Sequence, residues 1–126
     1  MIDLKRLGQY RLMTRTTVDV LQGTLELLVL KTLSRGDALH GFEILRWLRD
    51  TTDGALLIEE GALYPALHRM ERRDLLAGEW GVSEKGRRAK YYRLTRAGRA
   101  ALHEEEARWL RYVQAWQQIS IAVAGR

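Results

Sequence analysis

The chain has 126 residues, 46% of them apolar, and no cysteine, which allows one globular unit with a buried core and excludes disulfides and thiolate metal sites. Its net charge of +5 at pH 7 suits a polyanionic partner. The most apolar window, Leu25 to Leu33, is too short to cross a bilayer, and no long apolar run directly follows the early cations Lys5, Arg6 and Arg11. The expectation is a cytoplasmic protein with no membrane association.

Residues 1–19 carry Leu4, Leu7, Tyr10 and Met13 three apart among cations, a spacing that permits an amphipathic helix or a loosely held arm. Gln22-Gly23-Thr24 opens a helical run with Leu21, Leu25, Leu28, Val29, Thr32 and Leu33 on one face. Leu27 and Leu30 extend the apolar surface most of the way round, which predicts a centrally buried helix ending at Arg35-Gly36-Asp37. His40-Gly41 precedes a second helix, Phe42 to Asp50, with Ile44, Leu45 and Leu48 inward. His40 reads as a cap or a buried hydrogen-bonding group rather than a metal ligand.

Leu56-Leu57-Ile58 is a short strand candidate. Gly61 to Arg73 is the third helix, with Glu59-Glu60 at its start, where a helix dipole favours acids, and Pro65 near its first turn. Asp74 marks its exit. Ala77 to Val82 and Arg88 to Leu94 predict a hairpin around the polar turn Ser83 to Arg87. Thr95 is a natural N-cap for a long last helix from Ala97 to about Ala122. On that helix Leu102, Trp109, Trp116 and Val123 recur every seven residues, with Val113 and Ser120 between them. Such a stripe calls for a partner helix, best supplied by a second copy of the chain.

This order of elements describes a mainly α (α+β) fold, a winged helix-turn-helix over residues 20–95 with a long dimerisation helix over 96–126. The charge is concentrated on the hairpin. From Glu79 to Arg99 there are seven basic residues and two acids, so this segment alone is +5 and the rest of the chain sums to zero. The third helix can enter a major groove, with Leu63, Leu67 and Met70 toward the core. Ala62, Tyr64, Pro65, Arg69, Arg72 and His68 are then available to the exposed side. Alanine and tyrosine can touch a thymine methyl, and Arg69 can grip phosphate or a guanine edge. Lys85, Arg87, Arg88 and Lys90 form a wing suited to backbone phosphates. Taken alone, the helix arginines could equally solvate a surface; the cations at wing distance favour nucleic acid.

Enzyme chemistry finds no support. His40, His68 and His103 lack metal-ligand spacing, the glycines form no phosphate-binding loop, and Glu104-Glu105-Glu106 face several directions on one helix. No catalytic residue, metal or cofactor is expected.

Four blocks in order resemble the PadR family of bacterial transcriptional regulators: LQGTLELLVLKTL from Leu21, HGFEI from His40, EEGALYPALHRMERRDLL from Glu59 and RRAKYYRLTRAG from Arg87. The resemblance covers roughly Leu21 to Trp109, and the chain is most similar to the small members with a single C-terminal helix. Phe42 stands where the family commonly has Tyr, and the first 15 or so residues resemble an extension with no role to carry over. The resemblance implies a homodimer formed through the last helix, binding a two-fold related operator in double-stranded DNA and usually repressing. It also implies, for some members, a flat aromatic effector held against a tryptophan of that helix. Trp109 falls at the matching offset. Trp109 and Trp116 also fit as packing anchors of a dimer seam with Leu102 and Val113. The competing readings are a protein-interaction module and a binder of RNA or single strands.

Overall fold

The computed structural model describes residues 22–125, and the readings made for residues 1–19 and for Leu21 lie outside them. Helix α1 (Gln22–Leu33) is central, with Leu25, Val29, Leu30, Thr32 and Leu33 all buried. Burial on several sides is what its nearly all-round apolar sequence demands. The single buried polar side chain among the described residues, Thr32, is satisfied by donating to the Leu28 carbonyl at 2.8 Å.

A two-residue strand, β1 (Leu39–His40), leads directly into α2 (Gly41–Thr51). His40 caps α2 in a reciprocal box. Its Nδ1 accepts from the Glu43 N–H at 3.3 Å, and its own backbone N–H donates to Glu43 Oε1 at 3.1 Å. The histidine therefore does structural work at the joint between sheet and helix. Ile44 and Leu48 are buried against the core and Leu45 packs beside them.

The strand expected at Leu56 to Ile58 is not one. Leu56 and Ile58 pack half-buried on the core with Leu57 exposed between them, which gives the alternation of a strand. They pair with no strand of the sheet, in which β3 (Arg88–Leu94) lies between β1 and β2 (Leu76–Val82). Both pairings are antiparallel, Leu39 opposite Tyr92 and His40 opposite Tyr91 in one, Leu76 opposite Leu94 through Val82 opposite Arg88 in the other.

Helix α3 (Glu60–Arg72) buries Leu63, Ala66, Leu67 and Met70. Pro65 lies one residue deeper than the expected helix start placed it, the sixth residue of the helix and past its first turn. It faces solvent, so the Gly61 carbonyl it leaves without a donor belongs to an equally exposed residue. The exit is a Schellman turn: Asp74 takes φ 60°, its N–H donates to the Glu71 carbonyl, and the Leu75 N–H reaches the Met70 carbonyl, both at 2.9 Å.

Thr95 then starts α4 (Arg96–Ala124), accepting from the Gly98 N–H at 3.0 Å. Its hydroxyl faces the carbonyls of Asp74 at 2.5 Å and Leu75 at 3.0 Å, so the beginning of α4 is tied to the end of α3. At 29 residues α4 is about 43 Å long. Gly98 and Leu102 are buried on the core, and Lys31 of α1 meets Glu106 at 3.0 Å. Beyond that point most of its residues are exposed.

Candidate nucleic-acid interface

Four buried positions on one side of α3 fix what the other side can present. At 100° per residue, the direction opposite Leu63, Ala66, Leu67 and Met70 carries Gly61, Pro65, His68 and Arg72, all exposed. Ala62 and Tyr64 flank this line, Tyr64 with 39% of its surface open. Arg69 departs from expectation. It is half-buried, and its Nε is enclosed without a hydrogen-bond partner. Helical phase does not account for this, since Arg69 lies one heptad after exposed Ala62. Of the residues expected on the exposed side, Pro65, His68 and Arg72 occupy the outward centre.

Tyr64 leans across the start of α2, where Gly41 makes room for it. A Cβ on Gly41 would sit 2.6 Å from Cε1 of the Tyr64 ring, so a larger residue would push the ring away. Partial burial, with Glu60 nearby, raises the Tyr64 hydroxyl above its ordinary pKa, and it stays a neutral donor.

The hairpin has two characters along one face. Leu76, Tyr92 and Leu94 point into the core at its base. Farther out, the same face carries Gly78, Trp80 and Val82 on β2 and Lys90 and Arg88 on β3, past the last core residue. Trp80 is 56% exposed, and the Arg88 guanidinium lies over its ring at 4.3 Å from the centroid. Lys85, Arg87 and Arg88 are exposed, and no ion pair engages them among the described residues. Lys90 differs from the other three expected wing cations: it is half-buried and ion-paired with Glu71 of α3 at 2.7 Å.

Between the wing, the first turn of α2 and the flank of α3 lies an open cleft of about 590 Å³. Phe42, Arg46, Tyr64, Trp80, Arg88 and Lys90 are among its walls. The sequence reading missed Phe42, Arg46 and Trp80. Trp80 was detectable in principle, since it shares the β2 period of two with Leu76 while lying beyond the core.

The tail of α4 presents a second surface. Trp109, Tyr112, Trp116, Ile119 and Val123 are 44–65% exposed and fall on one face of the helix, with Val113 at its edge. The Trp109 and Tyr112 rings stack at 5.7 Å. Leu102, grouped with this stripe by its heptad position, is instead a core residue of its own chain at 9% exposure. Leu102 is therefore not available to the seam expected from Leu102, Trp109, Val113 and Trp116.

Residues 29–104 match the model of the transcriptional regulator PadR-like family. The chain belongs to that family. Among solved structures it resembles a PadR-like transcription factor from Bacteroides fragilis, 30% identical, covering 91% of this chain and 98% of that one with a TM-score of 0.64. A PadR family transcriptional regulator from Eggerthella lenta is 30% identical, with 91% and 92% covered and a TM-score of 0.67. A transcriptional regulator of Mycobacterium tuberculosis is 50% identical over 48 residues, 38% of this chain and 44% of that protein. The winged helix of these PadR-family proteins is the fold described above, and the family consists of transcription regulators, not enzymes. No helix among the described residues is long and apolar enough to cross a membrane.

Proposed function

We propose that this PadR-family chain works in the cytoplasm as a homodimer that binds a two-fold related site in double-stranded DNA and represses transcription there. The observation that carries the reading is the common orientation of two tools. The Glu60, Tyr64 and His68 flank of α3, which adjoins its outward line, and the cationic wing line the same cleft, so α3 can enter a major groove while Lys85, Arg87 and Arg88 reach the adjoining backbone. Ala62, Tyr64, Pro65, His68 and Arg72 are the side chains positioned to meet base edges, with Arg69 at their margin.

The homodimer rests on the bare face of α4. A stripe of five large, exposed apolar residues is costly in water and is covered most simply by the same stripe of a second copy. Dimerisation would set the two α3 helices about 34–36 Å apart, or a multiple, to meet successive major grooves. A flat aromatic effector seated against Trp109 in that seam would weaken DNA binding if it favoured a dimer with another spacing.

Exposed Trp80 and Phe42 beside cations also suit a binder of single strands, where bases stack on aromatic faces. Titrating the protein against duplex, single-stranded and random competitor DNA separates the readings. The duplex from its own upstream region should bind best, and Arg88→Ala should lower the salt slope by about 2 for a dimer, two phosphates at ~0.9 each. Equal binding to single strands, or an unchanged slope, would count against the duplex reading.

A further inference from the structure

Lys90 leaves β3, crosses the inner face of β2 at Gly78 and donates from Nζ to Glu71 Oε1 on α3. This is the only side-chain hydrogen bond between hairpin and α3 among the described residues. Gly78 leaves room for the crossing, and a side chain there would displace the tips of both partners. A Cβ at position 78 would stand 2.5 Å from Lys90 Cε and 2.9 Å from Glu71 Oε2. The ammonium also lies 5.6 Å from the Tyr92 ring centroid and 6.0 Å from that of Trp80. The hydrogen bond to Glu71 raises the Lys90 pKa above its ordinary value, against the smaller opposing effect of burial.

A two-stranded ribbon that extends past its core is marginally stable in water and bends easily at its base. The pair sits at that base, where the core face ends and the wing begins. We infer that Glu71, Gly78 and Lys90 form a strut that sets the angle between the wing and the groove-reading helix, with Lys90 a positioning residue and not a phosphate contact. The inference rests on the duplex-binding reading above. A lysine committed to phosphate would gain from having no carboxylate at 2.7 Å, since Glu71 cancels its charge and adds an anion beside the DNA. The arrangement exchanges one unit of attraction for a fixed geometry. It also accounts for three separate sequence choices on three elements with one contact.

Glu71→Gln makes the two accounts diverge in sign. Through charge alone it raises the net charge by one and should tighten duplex binding; through the strut it frees the wing and should weaken it. The test is a titration of the upstream-region duplex over a range of salt, with the full chain, Glu71→Gln, Gly78→Ala and Lys90→Met, alongside hydrogen exchange of the amides in 79–90. The expected result is a loss of about three- to tenfold in affinity for Glu71→Gln and for the charge-neutral Gly78→Ala. The salt slope of Lys90→Met should match that of the parent, and wing amides should exchange faster while those of α1 do not change. Equal or tighter duplex binding by Glu71→Gln, or a slope lowered in Lys90→Met, would overturn the strut. Should the unaltered chain show no preference for duplex, the DNA reading falls by itself, and hydrogen exchange alone decides the strut: unchanged wing amides in Glu71→Gln and Gly78→Ala reject it.

Discussion

The two halves of α4 carry one continuous apolar stripe and meet opposite fates. Leu102 is 9% exposed against α1 and the sheet, whereas Trp116, two heptads on, is 60% exposed. The heptad repeat is the same on both sides of Glu106; what changes is whether the chain's own core is still there to receive it. Periodicity therefore tells that a face needs cover and is silent about who provides it. In this helix the answer switches between Glu106 and Trp109, and the expected interface shifts accordingly.

Substitutions along α4 can break this contrast. Leu102→Ala should have the largest effect on the isolated fold, a loss of about 2–3 kcal/mol. Thermal unfolding of the variant and parent at matched concentration measures it. Trp116→Ala should instead act on association. Tryptophans at the centre of interfaces commonly contribute about 2 kcal/mol or more, so self-association should weaken by at least tenfold in sedimentation experiments while helical content is kept. A Trp116→Ala chain that self-associates as well as the parent would place the seam elsewhere. Thr95→Ala removes the N-cap and the tie to Asp74 and Leu75, for a cost of about 1 kcal/mol, read as a lower unfolding temperature. Lys31→Met, at the last ion pair between α1 and α4, should change stability by no more than about 0.5 kcal/mol in a denaturant titration, since both partners face water. A larger loss there would mean that the buried half of α4 reaches farther than Leu102.

Much of this arrangement is legible in the sequence. Thr95 and Asp74 mark helix ends by local chemistry, and the hairpin register follows from its polar turn and alternating strands. Elements whose identity depends on a distant partner are not. Two residues at Leu39 and His40 carry no periodic signal, yet they form β1 because the edge of β3 is free there. Leu56 to Ile58 have the alternation and pair with no strand of the sheet. The site divides along the same line. The exposure of Pro65, His68 and Arg72 follows from helical phase, while Arg69 shares the phase of exposed Ala62 and is nonetheless half-buried, which phase cannot foretell. Counting cations finds the wing but cannot separate Lys90, whose carboxylate is 19 residues earlier on another element, from Arg88, whose side chain lies over Trp80.

The hydroxyl of Thr95 gives α4 a fulcrum. Because that point is hydrogen-bonded to the carbonyls just past α3, and Gly98 and Leu102 are buried on the core, the first half of the helix is fixed to the end of α3. The arm that extends past Glu106 is about 27 Å long, so a tilt of about 10° moves its far end by about 5 Å. In reverse, a displacement at the far end is geared down to a small change of angle where the helix meets the core.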